Sequence, residues 1–322
     1  MMKIEYDLLC RIESDLGLNA PFVRGQVIPV KNCWHFSTDG NAVDVIYKDD
    51  EDFRAGMNRI YVVVGKYHVV ILAFALMDTH LHFILYGDLD ECKRFMHDYV
   101  KRTSQYIALT HGEHNKLDNL PVNYQVIDTD TYLKTAICYV MKNPPVGGIP
   151  YTAWHYPWSS GPLYFSPTGL WSSPKWTDKS VGINSSGMTQ LELIKILKVR
   201  TVPAGDVRII DGMVFPGEYV AYELVERLFK TRKSFNYFFC KTREEDVDAR
   251  GGTISQLSIP MQEMRQHKNE TCRELFGVDS IRTLSTEQRL RLAKVLKSRY
   301  NSSLKQIIRL SGLVYNEAKD LL

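Results

Sequence analysis

The residues from His68 to Tyr86 constrain the fold most strongly, because they combine two strand-like runs with a pair of histidines. Val69–Leu76 is an unbroken apolar run of strand length, which predicts a central strand covered on both faces. The next run alternates, so that His80 and His82 share one face, opposite the apolar side chains of the same run. We therefore predict a β-hairpin that places two imidazoles side by side.

Neighbouring imidazoles of this kind suit a divalent metal ion. Two neutral imidazoles at this spacing can chelate one ion, provided that a partner holds the second ring nitrogen of each. The pair alone does not decide the matter, because two satisfied surface or core histidines would give the same sequence. Other segments of the chain must separate a metal site from ordinary packing.

The composition is that of a globular protein. The chain has 322 residues, 44% hydrophobic and 24% charged, a length that suggests two or three domains. No apolar run reaches the roughly 18 residues of a membrane span, and there is no basic-then-apolar leader, so we expect neither a membrane partner nor secretion. The six cysteines lie far apart without a C-x-x-C pair, which argues against a disulfide framework or a cysteine zinc site. We expect a cytoplasmic protein.

The signals around the hairpin give the order strand, helix, strand, strand, helix, strand. Cys33–Phe36 is predicted as a strand, and Asp49-Asp50-Glu51-Asp52 as the acidic first turn of a helix that runs to Val63. After the hairpin, Asp90–Thr110 is predicted as a second helix and Asn123–Ile127 as the last strand. This order predicts an α+β fold with a ferredoxin-like antiparallel sheet and helices on one face, followed by a mostly helical C-terminal part.

The second predicted helix carries basic residues among its aromatic ones. Such cations can turn toward phosphate, but a charge run on a helix is more often a solvated face, and that interpretation is favoured here. The residues are Lys93, Arg94, Lys101 and Arg102.

A further helix is predicted after the last strand. The N-cap cluster Asp128-Thr129-Asp130-Thr131 opens it, and Pro144-Pro145 is predicted to stop it at Asn143. Tyr139 and Asn143 are one turn apart and therefore share a face. Taken alone, this ridge is more simply explained by packing than by chemistry.

Four segments together form a more specific pattern. They are Asp49-Asp50-Glu51-Asp52, Leu76-Met77-x-x-His80-Leu81-His82, Tyr139-x-x-x-Asn143-Pro144 and Tyr156-Pro157-Trp158-Ser159-Ser160. Their order and approximate spacing, over about residues 30 to 165, resemble the REP-associated tyrosine transposases, which belong to the HUH family of single-tyrosine DNA nucleases. The resemblance implies that Tyr139 is the catalytic nucleophile and that His80, His82 and Asn143 bind a metal ion.

The resemblance also implies a reaction and its partners. The expected activity is transposase-like: a metal-dependent single-stranded DNA endonuclease and strand transferase with a 5′-phosphotyrosine intermediate and Mg²⁺ or Mn²⁺ as cofactor. The expected partner is DNA, single-stranded or in a hairpin, at the nucleoid, and both monomer and homodimer remain open. Deaminase and metalloprotease chemistry is disfavoured, because the Cys ligands with a Glu and the H-E-x-x-H motif are absent.

Two alternatives remain open beside this activity. The first is a non-catalytic DNA-binding regulator that retains the nuclease fold as a scaffold, which the complete set of four candidate site residues disfavours. The second is a replication-initiator-type nicking enzyme with the same chemistry, which the Tyr-x-x-x-Asn-Pro and Tyr-Pro-Trp-Ser-Ser segments disfavour.

The C-terminal end of the chain is basic. Ile281–Leu322 carries nine Lys or Arg residues and three Asp or Glu residues, a net charge of +6 against +3 for the whole chain. A capping-box spacing at Ser285-Thr286-Glu287-Gln288 and a turn at Gly312 resemble a helix-turn-helix, with a three-helix packing module as the alternative. The residues predicted to contact DNA are Lys305, Arg309, Tyr315, Asn316 and Lys319.

These patterns divide the chain into three predicted parts. Residues 1–165 form the HUH-type nuclease domain, residues 166–280 a linker with an accessory helical region, and residues 281–322 the helix-turn-helix-like module. The sequence assigns no function to the middle part.

Overall fold

The chain forms two compact units, Met1–Thr242 and Arg243–Leu322. The computed structural model describes residues 4–21, 27–39, 43, 45–114, 116–146, 154–165, 182–242, 261–278, 280–299, 304–314, 318 and 321. The division between the units differs from the predicted boundaries at 165 and 280, because residues 182–242 pack on helices of the first unit. Of the helices in the described ranges, none has the length and apolar character needed to span a membrane.

A four-stranded antiparallel sheet forms the centre of the first unit. Its order is β2-β3-β1-β4, with β1 (Pro29–Thr38), β2 (Val69–Leu76), β3 (Leu81–Gly87) and β4 (Val122–Thr129). Phe83 of β3 pairs with Phe74 of β2 on one side and with Phe36 of β1 on the other. This is the strand order of a split β-α-β arrangement, in agreement with the predicted α+β fold class.

The described part of this unit contains seven α-helices. They are α1 (Tyr6–Asp15), α2 (Asp50–Val64), α3 (Leu89–His111), α4 (Asp130–Val146), α5 (Gln190–Leu197), α6 (Tyr222–Phe229) and α7 (Arg232–Lys241). Asp49 caps α2 by accepting a hydrogen bond from the Asp52 backbone N–H, as the acidic cluster predicted. The prediction that α4 ends at Asn143 is wrong, because the helix continues through Pro144 and Pro145 to Val146.

The sheet has helices on both faces, so the prediction of helices on one face is wrong. On one face the Phe83 ring meets the rings of Phe95 and Tyr99 of α3, at centroid distances of 5.6 and 5.5 Å. On the other face Tyr139 of α4 meets His82, the neighbour of Phe83 in β3. The alternation in β3 therefore marks two buried faces with different partners, rather than one buried and one solvated face.

The edge strand β2 is covered by the segment that contains Tyr-Pro-Trp-Ser-Ser. The Leu76 backbone N–H donates to the Trp158 carbonyl at 2.9 Å, and the Ser160 N–H donates to the Phe74 carbonyl at 3.0 Å. Trp158 itself is buried and stacks on Phe53 at 5.1 Å. The segment thus satisfies backbone groups that an uncovered edge would leave open.

Residues 182–242 contain a small antiparallel sheet next to α2. Its strands are β5 (Ile183–Asn184), β6 (Arg208–Ile210) and β7 (Met213–Val214). Asp211 and Gly212 form the turn between β6 and β7, and both residues have a positive φ. Buried Asn58 of α2 anchors this sheet: its amide donates to the Gly212 carbonyl at 3.2 Å and accepts from the Val214 N–H at 2.9 Å.

The second unit contains three described helices, α8 (Met261–Phe276), α9 (Thr286–Arg299) and α10 (Leu304–Ser311). The predicted capping box is confirmed, because Ser285 N–H donates to Gln288 Oε1 and Gln288 N–H donates to Ser285 Oγ. The turn at Gly312 is also confirmed, with φ +66°. The helices share one apolar core, formed by Cys272, Leu284, Leu292, Ala293, Leu296, Ile307 and Leu310.

Candidate functional site

Three histidines meet on one face of the central sheet. His80 directly precedes β3 and His82 lies within it, while His35 comes from β1. Ser37 is the register partner of His82, so His35, two residues earlier, lies on the same face. His35 Nε2 is 3.1 Å from His82 Nδ1, and the His80 ring meets the His82 ring at 5.0 Å and 87°.

Helix α4 brings Tyr139 and Asn143 to these histidines. The Tyr139 ring lies 5.6 Å from the His82 ring and 5.7 Å from the His35 ring. Asn143 Nδ2 donates to the Tyr139 carbonyl at 3.1 Å, and the Asn143 side chain also forms a hydrogen bond with His82. The four residues predicted from the sequence, His80, His82, Tyr139 and Asn143, are therefore brought together.

The start of α4 is fixed to the sheet, and this sets the position of the rest of the helix. Asp130 Oδ1 accepts a hydrogen bond from Ile28 N–H at 3.2 Å, and Asp130 N–H donates to the Ile28 carbonyl at 2.9 Å. Lys134 donates to the same carboxylate at 2.7 Å. Since Ile28 directly precedes β1, these bonds join the start of the helix to the strand that carries His35.

A chain of polar side chains continues from the histidines to β4. Gln125 is the register partner of His35 and forms a hydrogen bond with it. Tyr132 donates its hydroxyl to Gln125 Oε1 at 2.7 Å. The order is therefore Tyr132, Gln125, His35, His82, Asn143.

Burial keeps two of the imidazoles neutral. Burial lowers the pKa of His35 to about 4, and a hydrogen bond with Gln125 opposes this only in part. Burial, then the neighbouring His80 and His35, hold the pKa of His82 well below its usual range. His80, Tyr139 and Asn143 are only half-buried, so the cluster opens to solvent on their side. Neutral imidazoles can offer lone pairs to a cation there.

The residues of the cluster fit a divalent ion with mixed ligands. Among the described residues, no three His, Cys, Asp or Glu side chains are grouped so that they could hold a metal ion. An ion would need the amide of Asn143 beside the imidazoles of His80 and His82. The Nδ1 atoms of both these rings already face a neighbour, since the Thr79 hydroxyl is 3.0 Å from His80 Nδ1. Such contacts orient metal-binding histidines.

The residues predicted to contact DNA lie in the second unit. Arg309 is exposed on α10, and Lys305 lies on the same helix. Arg289, by contrast, is held within the unit, since it donates to the carbonyls of Ile281 and Gly312. The remaining three lie outside the described residues: Tyr315, Asn316 and Lys319.

One solved structure is similar to this chain. It is the structure of the REP-associated tyrosine transposase bound to a REP hairpin, with 16% sequence identity and a TM-score of 0.33. The similarity covers 44% of this chain and 82% of that chain. No protein-family model and no curated protein matches the chain. The likeness indicates a distant relationship at most, so the chemistry of the cluster has to follow from its own residues.

His35 and Gln125 belong to the cluster but were not predicted. A histidine within the predicted strand Cys33–Phe36 was the available signal. Its role depends on the pairing of β1 with β3, which places His35 diagonally across from His82. Strand patterns give the face of a residue but not its partner in another strand.

Proposed function

We propose that this protein is a metal-dependent single-stranded DNA endonuclease and strand transferase with an HUH-type nuclease fold and Tyr139 as its nucleophile. The observation that carries the proposal is the contact of the Tyr139 ring with His82, at 5.6 Å, within one cluster that also contains His80 and Asn143. A phenol next to neutral imidazoles combines a nucleophile with cation-binding donors, which is the combination that phosphodiester transfer needs.

The proposed reaction has two balanced steps. Tyr139 Oη attacks the phosphorus, the Oη–P bond forms as the P–O3′ bond breaks, and the products are a 5′-phosphotyrosine and a free 3′-hydroxyl. The phenol loses its proton during the attack, because its ordinary pKa is about 10, and the departing O3′ gains one. Attack by the 3′-hydroxyl of a second strand then reverses these changes and rejoins the DNA.

His80, His82 and Asn143 are the residues that would hold the ion. When bound, Mg²⁺ or Mn²⁺ supplies stabilisation of negative charge on the non-bridging phosphate oxygens. His80, Asn143 and Tyr139 are half-exposed, and buried His82 lies next to them. A phosphate therefore has access to the cluster from solvent on their side.

His35 and Gln125 act in this proposal as positioning residues. Neutral His35 carries one ring proton, and its hydrogen bond with Gln125 raises its pKa, as a bond to an acceptor oxygen does. With that proton directed to Gln125, His35 Nε2 accepts from His82 Nδ1–H. The Nε2 atom of His82 would then offer its lone pair to a cation that takes the place of its hydrogen bond with Asn143.

A covalent-adduct assay tests the proposal. Full-length protein is incubated with Mn²⁺ and a random-sequence single-stranded oligonucleotide that is labelled at its 3′ end, and the adduct is detected on a denaturing gel. We expect a labelled adduct for the wild type and none for Tyr139→Phe, which lacks only the attacking oxygen. Tyr237→Phe is the control, because it removes the same atom from an exposed tyrosine of α7 and should keep the adduct.

Two results of this assay would contradict the proposal. If Tyr139→Phe formed the adduct in the same yield as the wild type, the nucleophile would be a residue other than Tyr139. DNA binding by the wild type without any adduct, with either ion, would instead favour the non-catalytic DNA-binding regulator.

The second unit is proposed to contact DNA through a helix-turn-helix-like module. The support is the net charge of +6 over Ile281–Leu322 and the exposed Arg309 on α10.

A further inference from the structure

A groove between α3 and β4 lies on the face of the sheet opposite the histidine cluster. It has a volume of about 580 Å³. Lys93, His97 and Lys101 of α3 line one side, and Phe36 and Tyr124 line the sheet side. The proposed cleavage reaction uses none of these residues.

The lysines that line the groove have no carboxylate partner in the described part of the chain. Lys93, His97 and Lys101 are four residues apart and exposed, so they form one ridge of α3. No described Asp or Glu pairs with either lysine, whereas Arg94 and Arg102 on the neighbouring ridge each pair with a carboxylate of their own helix. The two lysines therefore keep their positive charge for a ligand, which the sequence alone did not favour. The carboxylate that also lines the groove, Asp118, accepts a hydrogen bond from the Ser104 hydroxyl instead.

The sheet side of the groove is aromatic, and its accessible ring is that of Tyr124. Tyr124 is 46% exposed, and the Lys93 ammonium lies 4.7 Å from its ring centroid. Phe36 lies beside it at 5.7 Å, and Val126, two residues further along β4 on the same face, is 58% exposed. Aromatic rings next to unpaired lysines are the combination by which proteins hold single-stranded nucleic acid, with bases on the rings and phosphates on the cations.

Strand β4 contributes neighbouring residues to the groove and to the histidine cluster. Tyr124 and Gln125 are successive residues of β4, so they point to opposite faces, and Gln125 is the partner of His35. β4 is an edge strand of the sheet. A single strand can therefore pass around this edge from one face to the other.

We propose that this groove binds a nucleotide of the single-stranded DNA substrate away from the cleaved bond. The base lies against Tyr124, and the flanking phosphates contact Lys93 and Lys101. The identity of the ligand rests on the proposed function, whereas the groove and its charge do not.

Fluorescence anisotropy with a labelled oligothymidylate tests this site, because that strand does not pair with itself. In the full-length protein, Lys93→Ala with Lys101→Ala should reduce the slope of log affinity against log salt by about 1.4, roughly 0.7 for each lost phosphate contact. Tyr124→Ala should weaken binding by about tenfold, the expected effect of one lost stacking contact. Arg94→Ala with Arg102→Ala is the matched control, with the same charge change on the same helix, and should leave the slope unchanged.

The outcomes separate the groove from general attraction and from catalysis. The proposal would be overturned if both double variants reduced the salt slope equally. It would also be overturned if a duplex bound with the same affinity as the single strand and lost that affinity in the same groove variants. The substituted side chains are exposed, apart from half-buried Arg102, so thermal unfolding of the variants should lie close to that of the wild type. The adduct assay reports on the cleavage site independently. Groove-dependent binding without an adduct would contradict the proposed cleavage activity but support the groove as a binding site. An adduct together with groove-independent binding would support the cleavage activity and contradict the groove.

Discussion

Replacing His35 tests whether a buried neighbour sets the chemistry of His82. His35→Leu removes the ring nitrogen that lies 3.1 Å from His82 Nδ1 and keeps an apolar side chain of similar size. Under the proposed function, the His82 ring then loses the contact that holds its proton on Nδ1. We expect the affinity for Mn²⁺ to fall by about 10- to 100-fold, the usual effect of removing the partner of a metal-binding histidine.

The effect on stability should be much smaller than the effect on metal binding. The unpaired, buried Nδ1 of His82 costs about 1–3 kcal/mol in the free energy of unfolding. Burial of the leucine side chain at position 35, where the native histidine is 6% exposed, contributes about 1.5–3 kcal/mol in the opposite direction. The two terms offset each other, so the variant should unfold near the wild-type temperature.

Isothermal titration calorimetry with Mn²⁺ and thermal unfolding measure the two quantities separately. His35→Gln is the control, because its amide oxygen can still accept a hydrogen bond, and it should retain most of the affinity. Wild-type Mn²⁺ affinity in His35→Leu would refute the positioning role. A large loss of stability with a proportional loss of affinity would indicate that His35 is only a packing residue.

Two further substitutions test other parts of the chain. Asp52→Asn should destabilise the first unit by about 1–3 kcal/mol at neutral pH, because the buried carboxylate accepts hydrogen bonds from Lys48 N–H, Tyr106 and His111. Burial alone would raise the pKa of Asp52, but these bonds lower it below 3.8. The stabilisation is therefore present above that pH and is lost as the pH falls through the lowered pKa. Urea unfolding should show the stabilities of the wild type and the variant converging in acid. Gly312→Ala should cost the second unit about the 1–2 kcal/mol of a left-handed backbone, because φ is +66° and the atom nearest the new Cβ, Ile281 Cδ1 at 2.9 Å, is the movable end of a half-buried side chain. Gly277→Ala, at φ +68° with nothing within 4 Å, should lose about the same amount, and a much larger loss at Gly312 would contradict this argument.

Sequence reasoning was accurate where structure is set by local signals. The apolar run Val69–Leu76 is β2 with the predicted bounds, and Asp90–Thr110 differs from α3 by one residue at each end. Thr129, within the predicted N-cap cluster, accepts a hydrogen bond from the Tyr132 N–H at the start of α4. Periodicity and capping depend on residues a few positions apart, so a single sequence contains them.

Sequence reasoning failed where a contact depends on the register between distant segments. His35 was not predicted because its role requires the pairing of β1 with β3. The packing of residues 182–242 on α2 was not predicted for the same reason, since their anchor is Asn58, an ordinary polar residue of α2 in the sequence. Its three partners are backbone groups, which leave no signature in the sequence.

The two edges of the central sheet differ in a way that bears on how a substrate reaches the cluster. Edge strand β2 is covered, because Phe74 and Leu76 bond to the segment around Trp158, and the Ile71 carbonyl accepts from the Ala221 N–H. The other edge strand, β4, presents the exposed Tyr124 to the groove on one face and Gln125 to the histidines on the other. Among the described residues, β4 is thus the edge that offers both an accessible aromatic surface and a direct link to the cluster. A single strand that enters along β4 would meet the groove and the His82 side of the sheet without displacing any part of the β2 edge.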